Sequence, residues 1–174
     1  ITEAELKKSL KETKAKSHLL KKSKYVQADF EADKALVIAK YRSEGYRDAQ
    51  ILGDTIWRNN DGLMEMVVKV KEGEQYYFGD ITWKGNTVHT NDQLTRILGI
   101  RKGEIFNEEL LQSRLSFSID GRDVTSLYMD DGYLFFRVEP TEVSVVDNTI
   151  DLEMRIFEGP QATIDEVIIK GNTR

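Results

Sequence analysis

Lys84-Gly85-Asn86-Thr87 returns as Lys170-Gly171-Asn172-Thr173, an offset of 171 − 85 = 86. Glu72-Gly73 returns as Glu158-Gly159 at the same offset, and Gly45-Tyr46 returns as Gly132-Tyr133 at 132 − 45 = 87. Three separate landmarks at one spacing make a repeat, and a unit of that length is large enough to be a small domain. The chain therefore reads as an array of like modules. Such arrays serve as binding scaffolds more than as catalysts.

Two units fit the 174 residues. With 40% hydrophobic and 32% charged residues, the chain reads as a soluble globular class. Its longest apolar runs are far short of the ~18 residues needed to cross a bilayer. The chain opens on Ile1 without Met, which reads as a piece excised from a longer protein. The absence of cysteine excludes disulfides, thiolate metal sites and cysteine nucleophiles within it. Residues 1–24 carry eight Lys and three Glu, or 8 − 3 = +5, so the net charge of −5 leaves −10 for the rest. The lysines read as a solvated helix face. The sharper alternative is a patch for an acidic partner or lipid headgroups. Nucleic acid is disfavoured as a partner, because arginine is sparse in the basic stretch and the whole chain is acidic.

Each unit parses with the same signals. Thr2-Glu3-Ala4-Glu5 and Thr90-Asn91-Asp92-Gln93 are capping boxes. Leu6 and Leu10 follow the first, Leu94 and Leu98 the second, each pair on one helix face, and Gly99 and Gly103 end the second helix. A second helix follows. Phe30, Val37 and Tyr41 form its apolar stripe in the first unit, and Phe117, Val124 and Tyr128 form it at offset 87 in the second. Asp120-Gly121 interrupts the latter pattern. Gly45 and Gly132 suit the left-handed residue after a helix. Two strands come next. Met64, Met66, Val68 and Val70 alternate with polar residues and match Ile150, Leu152, Met154 and Ile156 at offset 86. Asn60-Asp61-Gly62 and Asp147-Asn148 supply the hairpin turns. The preceding strands, 49–57 and 134–146, are less regular, and Pro140 assigns the latter to a sheet edge. One further strand precedes each first helix, at 79–84 and 164–170. The fold class is α+β, in the order β-α-α-β-β per unit. The expected sheet is mixed and three-stranded, with its last strand central, covered on one face by two helices.

This order, with Gly-Tyr after the second helix, Glu-Gly after the last strand and Lys-Gly-Asn-Thr after the first, resembles the POTRA domain. The recurrence of Lys-Gly-Asn-Thr is similar to the tandem POTRA arrays of BamA-type outer-membrane protein assembly factors, and Leu134-Phe135-Phe136 resembles a Bacteroidetes-like lineage of them. The resemblance implies a periplasmic portion of a protein embedded in the outer membrane, with unfolded outer-membrane proteins and accessory lipoproteins as partners. It divides the chain into a domain at 1–76 lacking its first strand, a complete domain at 77–160, and the first strand of another at 161–174. A strand-swapped self-association through residues 164–170 is expected, since the first unit has a vacancy where that strand would sit.

Partner binding is expected at edge strands, whose unpaired N–H and C=O groups accept an added strand. The candidate residues are Ala49, Ile51, Thr55 and Trp57 in one edge, and Phe136, Val138, Val143 and Val145 in the other. The plainer reading packs these side chains beneath the helices and leaves only the backbone edge for a partner.

No catalytic constellation emerges. His18 and His89 are far apart and read as surface or helix-start residues. Asp29, Glu31 and Asp33 share a helix at a spacing that does not converge on calcium. Asp130-Asp131-Gly132 lacks a second carboxylate group at loop spacing. Trp57 and Trp83 fall on strand patterns that suit core or interface burial better than sugar stacking. No cofactor, metal or enzyme activity is expected. The readings that compete with client docking are a structural spacer arm, a POTRA-bearing secretion pore for a single partner and, against the repeat, a cell-division protein. A small hydrolase would need a pocket of converging titratable groups.

Overall fold

The structure, a computed structural model, describes residues 1–11, 13, 25–116, 118–168 and 171. His18, Phe117, Asn172 and most of the lysine-rich stretch lie outside the described residues. The chain divides into two compact units. The first comprises residues 1–77 with the short segments 103–108 and 147–149. The second comprises 78–102, 109–146 and 150–174.

In the first unit, helix α1 (Glu3–Ser9) starts on the expected capping box: Glu5 N donates to Thr2 Oγ1 at 3.3 Å and Thr2 N to Glu5 Oε2 at 2.9 Å. Helix α2 (Gln27–Ser43) buries Phe30, Val37 and Tyr41 on one stripe, as their spacing predicts. Strands β1 (Gln50–Arg58) and β2 (Met64–Lys71) form a two-stranded antiparallel sheet, with Ile51 opposite Val70 and a bulge before Gly53. Val37, Tyr41 and Ala49 make the core here, with Leu6, Leu10, Tyr46 and Val70 packed against them.

In the second unit, strand β3 (Tyr77–Lys84) leads to helix α3 (Asn91–Leu98), which carries the same capping box on Thr90 and Gln93. Leu94 and Leu98 are fully buried, each contributing about 1.5–3 kcal/mol of apolar transfer. The second helix is divided, into α4 (Glu108–Leu115) and α5 (Val124–Asp130), on either side of Asp120-Gly121. Asp123 drives the restart. Its carboxylate caps α5 through Ser126 N at 2.9 Å and holds Ser118 N at 3.0 Å. Strands β4 (Arg137–Val146) and β5 (Thr149–Phe157) join through Asp147 and Asn148, both at positive φ (48° and 58°), the backbone of a two-residue type I′ hairpin. The mixed sheet runs β3-β5-β4, with β5 in the middle as expected.

The offset falls from 87 to 86 within the hairpin, where the first unit has a bulge and residues 59–63 as its turn, and the second has two turn residues. The strand expected at 164–170 carries no ladder over 164–168, and residues 169 and 170 lie outside the described residues. A strand needs a bonded neighbour, and none of the described elements supplies one there. Among the described residues, no helix is long and apolar enough to cross a membrane.

Candidate functional site

The sheet of the second unit has two outer strands, β3 and β4. β4 is bonded to β5 on one side only. Ser144 Oγ donates to Asp151 Oδ2 at 2.7 Å, so those two side chains share a face. Strand alternation then sends Val143 and Val145 to the opposite face, that of Ile150 and Leu152. The helices cover that face over β5 but not over β4: Ile150 is 0% exposed, whereas Val143 is 54% and Val145 48% exposed. An open backbone edge thus runs beside a partly uncovered apolar strip. Pro140 lies within β4, where its missing N–H is tolerable only because the strand is an edge.

The other sheet face is ionic. Glu153 holds Lys84 Nζ at 2.6 Å and Arg155 Nε at 2.9 Å, and these partners keep its carboxyl below the usual range. Asp151 is held low by hydrogen bonds from Ser144 and the Asp80 amide. Val146 and Phe157 are exposed on this face as well, Phe157 beneath the Arg137 guanidinium, so the uninterrupted apolar strip beside the β4 edge is that of Val143 and Val145.

The sequence candidates do not all fall at an edge. Ala49 and Phe136 are withdrawn from it. Both side chains are buried, Phe136 stacking on Tyr128 with ring centroids 4.0 Å apart. Their amides are taken by equivalent turns, Ala49 N donating to Tyr46 O and Phe136 N to Tyr133 O, each at 3.1 Å. The strands start one residue later, at Gln50 and Arg137. Ile51 and Val138 are half-buried, while Thr55 and Trp57 are exposed on β1. Trp83 is buried and donates its Nε1 to Thr95 Oγ1 at 2.9 Å, whereas Trp57 is not in the core.

Three carboxylates carry roles that the sequence reading did not assign. Asp33 is fully buried and accepts the Lys11 and Thr13 amides at 2.8 and 2.5 Å, tying the segment after α1 to α2. Asp123 organises the α4–α5 break. Burial raises its carboxyl, but the bonds from Ser126 and Ser118 outweigh that and leave it below the usual range. Glu158 accepts Thr87 N at 2.7 Å, Val88 N at 3.0 Å and the buried Tyr128 hydroxyl at 3.0 Å, together with Thr87 Oγ1. His89 is largely covered, edge-on to Tyr128 at 4.7 Å with Nε2 3.1 Å from Asp131 Oδ2, at the start of α3 and not at the surface. Among the described residues, no group of three or more His, Cys, Asp or Glu is placed to hold a metal ion.

Three hydrogen bonds recur in both units. Tyr41 donates to Glu72 as Tyr128 does to Glu158. Gln75 Nε2 donates to Glu44 O as Gln161 Nε2 does to Asp131 O. Tyr76 N donates to Gly45 O as Ala162 N does to Gly132 O.

Residues 76–159 match the POTRA family, described as surface antigen variable number repeat, and form a POTRA domain. Curated relatives extend the match over most of the chain, which is similar in sequence to assembly factors of the BamA type. A Treponema pallidum protein bearing the provisional name of outer membrane protein assembly factor is 27% identical over 98% of this chain and 20% of its own length. Outer membrane protein assembly factor BamA of Nitratidesulfovibrio vulgaris is 25% identical over 83% of the chain and 18% of its own length, and that of Neorickettsia risticii is 27% identical over 86% and 20%. The chain thus spans about a fifth of the length of these relatives. The crystal structure of Haemophilus influenzae BamA POTRA3-5 superposes with a TM-score of 0.58 at 19% identity, covering 99% of this chain and 67% of that one. BamA from Haemophilus ducreyi lacking POTRA domains 1-3 gives 0.53 at 16% identity, over 80% and 24%. At these identities the two structures establish the fold alone.

Proposed function

We propose that this chain is a non-catalytic, periplasmic protein-binding module of an outer-membrane β-barrel assembly factor. It takes unfolded outer-membrane proteins and accessory lipoproteins by adding their extended segments to a sheet edge. The single observation carrying this reading is β4, an outer strand whose open backbone lies beside Val143 and Val145, both about half exposed. Backbone pairing is indifferent to client sequence, and alternate side chains of an added strand would cover the valines. The names of the curated relatives, outer membrane protein assembly factors, support the assembly role. The domain limits of this reading are 1–76, 77–160 and a further first strand at 161–174.

Photo-crosslinking amino acids at Val143 and Val145 test it, with a denaturant-unfolded β-barrel protein and a soluble accessory lipoprotein as baits. Adducts at these positions, reduced by an extended peptide from a barrel strand, support docking. Adducts absent at both, in a folded protein, leave the structural spacer arm as the better reading. An adduct with one dedicated secreted protein but not with barrel proteins favours the secretion-pore relative.

A further inference from the structure

We propose that the β4 edge reads the period of a segment and not its overall apolarity: it takes an extended segment that is apolar at alternate residues and polar between them. The inference rests on the docking reading above and names the kind of segment that site accepts.

The hairpin turn decides which backbone groups are available. Asp147 and Asn148 are the two residues of a type I′ turn, so Val146 and Thr149 close the hairpin as a hydrogen-bonded pair. Further from the turn in the same register, Ser144 faces Asp151, and the 2.7 Å bond between their side chains fixes that pairing independently. In an antiparallel pair, alternate residues turn their N–H and C=O to the same neighbour. Val146 and Ser144 therefore direct theirs to β5, while Val145, Val143 and Thr141 direct theirs away from it, into the open edge. Pro140, with no N–H, bounds the run.

Side chains follow the same alternation. Val143 and Val145 stand half exposed on the apolar face, whereas Ser144 stands between them on the ionic face beside Asp151. The residues that offer hydrogen bonds to a partner are thus the residues that offer it apolar surface. An added strand keeps its pleat in step with β4. Its residues opposite Val143 and Val145 lie on the valine face, and the residue between them lies opposite Ser144, on the ionic face. A slip by one residue turns every side chain of the segment to the other face. Backbone bonds and apolar contacts are therefore made together only by a segment whose apolar residues recur at every second position. An equally apolar segment of another period makes the same backbone bonds and covers one valine instead of both.

Amide exchange in the full chain, followed residue by residue by NMR, tests the backbone half without any client. The Val143 and Val145 amides should exchange at least about tenfold faster than that of Ser144 between them. Two peptides test the period. One alternates valine with lysine or threonine, and the other holds the same residues in a two-on, two-off order, in which no valine is followed by another at the second position. Fluorescence anisotropy should find the alternating peptide bound about twofold to fivefold more tightly, the worth of one further cross-strand apolar pair. Its binding should slow exchange at Val143 and Val145 and leave Ser144 unchanged. Val143→Thr combined with Val145→Thr keeps β-branched residues on the strand, so it should retain the exchange pattern and lose the preference. Ser144 exchanging faster than its two neighbours, or equal affinity for the two peptides, overturns the proposal and leaves docking at β4 standing. Binding of neither peptide, where the crosslinks at Val143 and Val145 form, overturns this proposal alone; where those crosslinks are absent as well, the docking reading falls with it.

Discussion

Glu158→Ala is the sharpest test of the physical account of the second unit. The carboxylate ends β5 and gathers the Thr87 and Val88 amides, the Thr87 hydroxyl and the Tyr128 hydroxyl. A hydrogen bond to a charged group is worth about 1.5–3 kcal/mol, and a buried donor left unpaired costs about 1–3 kcal/mol. The Thr87 and Val88 donors lie where water can replace the carboxylate. Tyr128 is fully buried and its hydroxyl has no such recourse. The expected loss is therefore about 2–4 kcal/mol, about half from the tyrosine and the rest from the Thr87 and Val88 donors. Glu72→Ala is the internal control, because Glu72 accepts the equivalent Tyr41 hydroxyl at 2.8 Å, and the expected loss there is about 1–2 kcal/mol. Urea melts followed by tryptophan fluorescence separate the units, since Trp57→Phe leaves Trp83, in the second unit, as the sole reporter. The pH dependence gives a second arm. Burial raises the Glu158 carboxyl, but the bonds from Thr87, Val88 and Tyr128 outweigh it and hold the group below 4.5. A folded-state pKa below the unfolded one adds stability that is present above 4.5 and lost as pH falls through the folded value. Glu158→Gln should flatten that part of the acid transition while retaining an acceptor for Tyr128. The reasoning fails if Glu158→Ala costs no more than Glu72→Ala, or if Glu158→Gln leaves the acid limb unchanged.

The repeated Lys-Gly-Asn-Thr predicts an asymmetric pair. Gly85 and Gly171 share a positive φ (89° and 96°), but an added Cβ at Gly85 would lie 2.2 Å from Ile156 O, whereas the space around Gly171 is open. Gly85→Ala should lower the Tm of the second unit by at least about 8 °C, from a strain of ~2 kcal/mol or more, and Gly171→Ala by less than about 2 °C; scanning calorimetry distinguishes them. Asp33→Ala should free the Lys11 and Thr13 amides, raising their hydrogen-exchange rates at least about tenfold and destabilising the first unit by about 2–3 kcal/mol. Asn148→Val should cost about 1–2 kcal/mol, because a β-branched residue is forced into left-handed backbone, while Asn148→Gly should cost much less; thermal melts of the two variants provide the check.

What the sequence made legible was local. The boxes at Thr2 and Thr90 span three residues, the Asp147-Asn148 turn spans two, and the alternation of Ile150, Leu152 and Met154 needs only its own strand. Each is decided by atoms close together in the chain, so composition and period suffice to read it. Ala49 and Phe136 were misplaced at an edge for a related reason. An apolar residue next to a strand obeys alternation equally well inside or outside the core, and only the turn bonds to Tyr46 O and Tyr133 O decide which. The roles of Asp33 and Glu158 depend on partners far along the chain: Asp33 holds amides 22 and 20 residues away, and Glu158 holds groups 30 to 71 residues away. No window along the chain contains such a pair. The repeat did contain a trace of it. Glu72 and Glu158 recur at 86 while Tyr41 and Tyr128 recur at 87, and a charged residue and a core aromatic kept together across copies are two ends of one bond. A repeat therefore carries more than a domain count. Polar residues that recur in step with a buried aromatic mark where the module joins its last strand to its helices. The same comparison shows where the copies differ: β2 and β5 share a sequence pattern, and among the described residues β5 lies between two strands with its apolar side chains buried, while β2 pairs with β1 and its apolar side chains are more exposed.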